Sequence, residues 1–383
     1  MSEYLFTATA TCHFGVEAVL KRELINLGLE IKEVTDGHIV FYCNAADIFR
    51  ANLFLRTAER IQINLMEFKA YSFEELYDGI SRYNWADLIP KDANFIVNGR
   101  SFNSKLFSIS DCQRITEKAI IDSLNKKYGN IYYEKTGRRY RFEISLLNDM
   151  ATLYLDSSGP GLHKRGYRKD QGAAPIKETL AAAMIRLSVW NPDRPLLDPF
   201  TGSGTIPIEA AMIARNIPPG ILRKFDCEHF AFMEGVDMKA IRLEARENID
   251  WNRSINIKGS DYDRNMIQIA RENSSMLKLN DIFFFTKEVR KVETENEYGV
   301  VITNPPYGKR LEDATLDRTY ENFNSFIEKN PTWSIYVITD YPLKDVISRS
   351  IDKNRKLYNG KLKTYFYTML GPRPPKEEYD EQF

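Results

Sequence analysis

The run at residues 300–308, VVITNPPYG, carries the most specific chemistry in the chain. An apolar, β-branched stretch leads into Asn304-Pro305-Pro306-Tyr307. Two consecutive prolines fix the backbone and remove its amide donors. The side-chain oxygen of Asn304 and the carbonyl of Pro305 are then free to point into a cleft, and toward a neighbouring NH2 group both act only as acceptors. Such a pair would hold a planar exocyclic amine by its two hydrogens, while Tyr307 stacks on the attached base. A diproline turn with a purely structural purpose is the alternative.

A second candidate site is LLDPFTGSGT at residues 196–205, followed by the helical run IPIEAAMIA. A strand, a glycine turn and a helix in that order place backbone N–H groups and the positive end of a helix dipole at the carboxyl edge of a sheet. A dinucleotide fingerprint would need a third glycine where Pro207 stands, and a phosphate loop would need Gly-Lys-Ser/Thr; neither is present. Gly202 and Gly204, with Asp198 before them, suit a ligand with less phosphate and closer backbone approach, or simply an ordinary tight turn. Downstream, Gly259-Ser260-Asp261 ends another apolar run. A carboxylate there can accept from both ribose hydroxyls of a nucleoside. Asp263 reads more simply as the N-cap of the helix after it.

These segments need a parallel sheet to bring them together. Short apolar strands are expected at 195–198, 257–261, 282–285, 300–303 and 334–340, with helices between them, which is the pattern of a doubly wound α/β domain. Strands at 355–358 and 363–370 flank Asn359-Gly360, a strong hairpin signal, so the sheet should finish with an antiparallel pair. Ahead of this, strands at 4–10 and 38–42 alternate with helices at 16–27 and 45–58, as in a small split-βαβ unit. A second α/β unit has helices at 72–81 and 110–128 and strands at 94–99, 139–146 and 150–156. Glycine, proline and cations cluster at 157–175, a domain boundary.

With 383 residues and 43% apolar side chains, the chain can bury two or three cores. The 53 basic and 53 acidic side chains cancel, which excludes a uniformly basic nucleic-acid coat and leaves local patches to be read. Residues 100–170 hold 14 Lys/Arg against 8 Asp/Glu, a net of +6. Within them, Arg138, Arg139 and Arg141 around Tyr140, and Lys164, Arg165, Arg168 and Lys169 around Tyr167, interleave cations with aromatics. That suits phosphate contact with base stacking, or a solvated strand and linker. The four cysteines form no CxxC pair and support neither a zinc site nor a disulfide framework. No apolar run reaches membrane-span length and the start lacks signal-peptide character, so a cytoplasmic protein is expected.

DPFTGSGT, GSD and NPPY in this order resemble the motifs of class I S-adenosylmethionine-dependent methyltransferases that act on amino groups. With HKRGYR, APIKETLAAAMI, FDCEHFAF and NPPYGKR added, nearly the whole chain resembles the bacterial THUMP-domain RNA methyltransferases, specifically the N-terminal, guanine-N2 half of rRNA large subunit methyltransferase L. The resemblance implies a ferredoxin-like domain at 1–65, an RNA-binding THUMP domain at 66–165 and a Rossmann-like methyltransferase domain at 166–383. It implies S-adenosylmethionine as cofactor, held by Asp198, Phe200, Gly202, Gly204 and Thr205 around the methionine moiety and Asp261 at the ribose. Glu288, which by spacing is the family's acidic residue after the third strand and stands where aspartate is expected, would meet the adenine amine, and the segment from Pro175 to Thr179 would close over the cofactor. Asn304, Pro305, Pro306 and Tyr307 would take the target base. Arg138, Arg139, Arg141, Lys164, Arg165 and Arg168 would contact RNA, expected to be 23S rRNA or a large-subunit precursor, with no metal and no membrane. A tRNA guanine-N2 enzyme, an adenine-N6 enzyme acting on nucleic acid, or a noncatalytic RNA-binding assembly factor are the competing readings.

Overall fold

The computed structural model describes residues 6–129, 136–168, 175–307, 313–360 and 362–375. Residues 4 and 5 of the first expected strand, Lys169 of the second basic cluster and Gly308 to Arg310 after the diproline bend lie outside them. The chain divides into two compact units, one comprising Met1–Cys12, Leu20–Leu162 and Arg223–Glu244, the other His13–Val19, His163–Leu222 and Ala245–Phe383.

In the first unit, β1 (Phe6–Cys12), α1 (Glu17–Asn26), β2 (Ile31–Thr35), β3 (His38–Cys43), α2 (Ala45–Phe54) and β4 (Ala58–Lys69) follow in βαββαβ order. Asn44 starts α2 with a capping box, accepting from the Asp47 amide while the Asp47 carboxylate accepts from its own. Then come α3 (Phe73–Ser81), β5 (Asn94–Phe102), α4 (Ile109–Tyr128), β6 (Arg139–Leu147) and β7 (Met150–Asp156). All seven strands join one sheet in the order β2-β3-β1-β4-β7-β6-β5. The β5–β6 pair is parallel, and its crossover is α4.

Strand β4 departs from expectation. The helix expected to reach residue 58 stops at Phe54, Leu55 is extended, and twelve residues of strand begin at Ala58. The amides of Arg56 and Thr57 donate to Glu23 Oε2 at 3.2 and 3.0 Å, so these donors are committed to a side chain and not to a helix. Strand β4 pairs with β1 on one side and β7 on the other, and the division expected at residue 65 falls inside it. The strands expected for two separate domains therefore share one sheet.

The segment Arg223–Glu244, expected in the C-terminal domain, packs with this first unit. Its FDCEHFAF run supplies the contacts: Phe225 meets Phe49 edge-on at 5.8 Å, Phe230 stacks on Tyr140 at 5.2 Å, and Phe232 meets Phe6 at 5.6 Å. Tyr140 is thereby buried and is not a surface for base stacking.

The remaining elements are α5 (Glu178–Leu187), β8 (Leu196–Asp198), α6 (Thr205–Ala214), α7 (Met238–Glu247), β9 (Ile257–Asp261), α8 (Arg264–Ser275), β10 (Phe283–Thr286), β11 (Val300–Thr303), α9 (Asp313–Lys329), β12 (Ser334–Thr339), β13 (Lys353–Asn359) and β14 (Leu362–Met369). The second sheet runs β10-β9-β8-β11-β12-β14-β13. Its first five strands are parallel, and β14 is antiparallel to both β12 and β13. Gly360 takes φ +64° in the hairpin turn, a backbone state that favours glycine. Strands β11 and β12 are buried along their whole length, as apolar strands covered on both faces must be.

Candidate active site

Because β8, β9, β10 and β11 are parallel, their carboxyl ends share one edge, and the strand order reverses at β8. That is where open α/β sheets bind ligands. A cavity of about 790 Å3 lies there, lined by residues that include Pro175, Asp198, Phe200, Gly202, Thr205, Asp261, Glu288, Asn304 and Pro306.

Backbone bonds fix the glycine turn. The Thr201 amide donates to the Ser260 carbonyl at 2.9 Å, the Gly202 amide to Asp261 Oδ2 at 3.0 Å, and the Gly204 amide to the Thr201 carbonyl at 2.8 Å. Gly204 sits at φ +82° as N-cap of α6, and a Cβ there would stand 2.9 Å from that of Ala270. Both sterics and backbone conformation therefore demand glycine. The other carboxylate oxygen of Asp261 accepts from the Asp263 amide at 3.0 Å, while Asp263 caps α8 by accepting from the Asn265 amide at 2.8 Å. Asp263 is an N-cap, as expected, and also lines the cavity.

Asp198 is buried at the end of β8. Its Oδ1 accepts from the Thr303 hydroxyl at 2.6 Å and from the Phe200 amide at 3.2 Å, tying β8 to β11. Burial, against those two hydrogen bonds, pushes its carboxyl up to about 7. The unfolded chain ionises this group near pH 4, so the neutral form favours the folded state. That contribution is complete below about pH 4 and is lost as pH rises through about 7. Asp198→Asn, which keeps an oxygen for Thr303 and Phe200, should therefore raise stability at pH 8 by on the order of 4 kcal/mol and change it little at pH 4. Urea unfolding at the two pH values checks this; equal gains at both would contradict the burial argument.

The diproline bend is held at two points. The Tyr320 hydroxyl, on α9, donates to the Pro306 carbonyl at 3.1 Å, and Asn359 Nδ2, in the hairpin, donates to the Tyr307 hydroxyl oxygen at 2.6 Å. Tyr307 is fully buried, so its ring faces packed side chains and not the cavity, contrary to the stacking role expected for it. Pro305 is also buried, while Asn304 and Pro306 reach the cavity. Among the described residues, Asn304 Oδ1 is buried without a hydrogen-bond partner, as are Oγ1 of Thr201 and Oγ of Ser203, two other residues that line the cavity. Buried polar atoms are normally paired, so the unpaired acceptor of Asn304, a residue of the cavity lining, is the group a polar ligand there would satisfy.

Two expected RNA contacts are elsewhere. Arg165 is 2% exposed and pairs with Glu209, itself 0% exposed, at 3.3 Å; the Tyr167 hydroxyl donates to the same carboxylate. Arg168 is buried against Glu178 at 3.3 Å and donates to the Thr205 hydroxyl at 2.6 Å. These cations position α5 and α6. Thr179 is likewise buried within α5, whereas Pro175 and Ile176 line the cavity. Arg138, Arg139 and Lys164 are exposed, and Arg141 is half-buried, donating to the Gly159 carbonyl at 2.7 Å.

Sequence reasoning missed the contribution of α9. Thr315, Arg318, Thr319 and Asn322 line the cavity, and Asn322 donates to Glu288 Oε1 at 3.1 Å. An amphipathic helix with no motif gives no hint of this. It also missed Tyr262, which is 75% exposed at the cavity next to Asp261; an aromatic directly after a candidate ribose carboxylate was the available signal.

Among the described residues no group of three or more His, Cys, Asp or Glu could hold a metal ion, and no helix is long and apolar enough to cross a membrane. The strand order, the glycine turn after β8, the carboxylate after β9 and NPPY after β11 together define a class I methyltransferase.

Comparison with known proteins agrees. Residues 165–367 match the model described as "RMKL-like, methyltransferase domain", residues 7–62 the "RlmL ferredoxin-like domain" and residues 70–156 the "THUMP domain". The chain belongs to the RMKL-like methyltransferase family. It is 44% identical over 382 residues to "Putative RNA methyltransferase YpsC" of Bacillus subtilis (strain 168), covering 98% of this chain and 99% of that one. Among solved structures it resembles a "predicted N6-adenine-specific DNA methylase" of Listeria monocytogenes str. 4b F2365, with 42% identity, 96% of each chain covered and a TM-score of 0.90. It also resembles SMU.472, "a putative methyltransferase complexed with SAH", with 40% identity, 97% and 99% covered and a TM-score of 0.89.

Proposed function

We propose that this protein transfers a methyl group from S-adenosylmethionine to the exocyclic N2 of a guanine in RNA, with 23S rRNA as the substrate. The observation that carries the reading is the orphaned Asn304 oxygen at the end of β11, beside a cavity built for a nucleoside-sized ligand. The cavity fits the cofactor on three counts. Gly202 leaves open space where a side chain would stand, Asp261 lies at the end of the adjacent strand to accept ribose hydroxyls, and Asp198 supplies a carboxyl toward an ammonium group. Glu288, aligned by Asn322, is the acidic group available to an adenine amine. SAM supplies an electrophilic sulfonium methyl when bound.

The protein's own contribution is orientation. A guanine amino group is a weak nucleophile because its lone pair is delocalised into the ring. By accepting a hydrogen bond from one of its N–H groups, Asn304 favours a pyramidal nitrogen and turns the lone pair toward the cavity, a combination of positioning and charge stabilisation. The target base must leave its stack to reach the bend. Phe200 and Tyr262, the aromatics that line the cavity, are placed to recover part of that cost. Arg138, Arg139 and Lys164 remain as exposed cations for the RNA backbone.

The THUMP match and the relative described as an RNA methyltransferase support RNA as substrate. The Listeria neighbour's description favours adenine N6 as the second reading, since NPPY would hold either amine. Incubation with labelled S-adenosylmethionine and unmodified rRNA, tRNA or DNA, followed by nucleoside analysis, separates them. Label in N2-methylguanosine from 23S rRNA is the expected result. Label confined to tRNA moves the substrate, and label in N6-methyladenosine or its deoxy form overturns the guanine assignment.

A further inference from the structure

The terminal hairpin is the feature the active site does not account for. Residues 353–363, KNRKLYNGKLK, hold five Lys/Arg and no Asp or Glu. Of these, Lys353, Arg355, Lys356 and Lys363 are exposed. Strand β13 is the edge of its sheet, so nothing in the sheet covers this charge.

Strand register decides what the cations stand beside. Lys356 lies opposite Tyr365, and Tyr358 lies opposite Lys363. Directly opposed residues and those two apart share a face, so two lysines and two tyrosines form a checkerboard there. The Lys356 ammonium sits 5.2 Å from the Tyr358 ring and that of Lys363 sits 5.4 Å from the Tyr365 ring. Both tyrosines are half-buried, each with part of its surface open. Arg355 and Lys353 project from the other face of the same strand, where Arg355 donates to the Gly15 carbonyl at 3.0 Å, while Phe14 meets Tyr358 edge-on at 6.1 Å.

The hairpin is also joined to the catalytic bend. Asn359, in its turn, makes the 2.6 Å bond to Tyr307, three residues after Asn304. A polyanion lying on the hairpin is thus held next to the loop that would receive its base. From this juxtaposition we infer that the β13–β14 hairpin is a single-stranded RNA-binding element of the catalytic unit, taking phosphates on Lys356 and Lys363 and a flanking base against Tyr358 on one face, with Lys353 and Arg355 taking further phosphates around the other side of the same edge strand. The inference rests on the proposed RNA reading and adds where the strand is gripped. Uninterrupted positive charge matches a phosphodiester backbone, and aromatics between cations match unstacked bases.

The test uses the full chain with Lys353, Arg355, Lys356 and Lys363 all changed to Gln, and a fluorescein-labelled 12-nucleotide oligouridine as probe. The slope of log affinity against log salt should become shallower by about three, and affinity at 0.1 M salt should fall on the order of a hundredfold. In the methylation assay, KM for RNA should rise by a similar factor while kcat at saturating RNA and affinity for S-adenosylmethionine stay near wild type. Should the quadruple variant fold poorly by its melting curve, Lys356→Gln with Lys363→Gln should shift the slope by about one to one and a half, and Lys353→Arg, Lys356→Arg and Lys363→Arg together should restore it. An unchanged slope and KM would overturn the inference. The same holds if the variant keeps its RNA affinity but self-associates, because the charges would then serve only to keep an edge strand from pairing. Failure of the wider reading is seen separately: wild type would put no label into any RNA, whatever the hairpin variants do with the probe.

Discussion

Asn304→Ala is expected to lower the single-turnover rate of methyl transfer by about 10²- to 10³-fold, the usual loss when one preorganised polar group at a reacting centre is removed. Affinity for S-adenosylmethionine should change by less than about threefold, because the groups proposed to hold the cofactor are on other strand ends: Asp198 on β8, Asp261 on β9 and Glu288 just after β10. The orphaned Oδ1 is what makes the separation sharp. Among the described residues it has no partner to lose, so truncation is expected to remove an interaction made with the bound amine. Rapid-quench measurement of the labelled product together with calorimetric titration of the cofactor checks both halves. Loss of cofactor binding alongside activity would mean that Asn304 is a structural strut and that the amine is held elsewhere.

The second large effect is on stability. Arg165→Met should destabilise the protein by about 3–5 kcal/mol, since it leaves the carboxylate of Glu209 uncompensated in a core where both partners are nearly inaccessible. Combining it with Glu209→Leu should recover much of the loss, because replacing both members of a buried pair by apolar groups is often close to neutral. Urea unfolding of the two single variants and the double variant measures the coupling. The salt dependence of RNA binding should be the same in the double variant as in wild type. A shallower slope would return Arg165 to the RNA surface from which its burial removes it.

The contrast between these two residues shows what a linear reading can and cannot reach. The position of Asn304 at the cavity was legible because its determinants are contiguous: an apolar strand ends and two prolines stiffen the exit. The glycine turn was legible for the same reason, since Gly204 answers to a local left-handed backbone and Asp261 stands at a strand terminus that β pattern alone can find. The parallel strands and the closing antiparallel hairpin were likewise anticipated almost to the residue, because continuous apolar runs and an Asn-Gly turn are short-range signals.

Tyr307 and Arg168 were not legible in this way. Whether Tyr307 meets a base or the protein interior depends on Asn359, 52 residues away, and whether Arg168 meets phosphate or carboxylate depends on the helix carrying Glu178. Strand β4 was hidden because Glu23, 33 residues earlier in the chain, takes the amide of Arg56 just past the end of α2. Local sequence sufficed for the class of fold, the strand ends that line the cavity and the acceptor groups at the bend, since backbone conformation and hydrogen-bonding capacity are properties of neighbours along the chain. Only the tertiary structure decided which cations and aromatics face solvent, because burial is set by side chains distant in sequence, and the free energy of a charge or ring depends on that surrounding more than on its own chemistry.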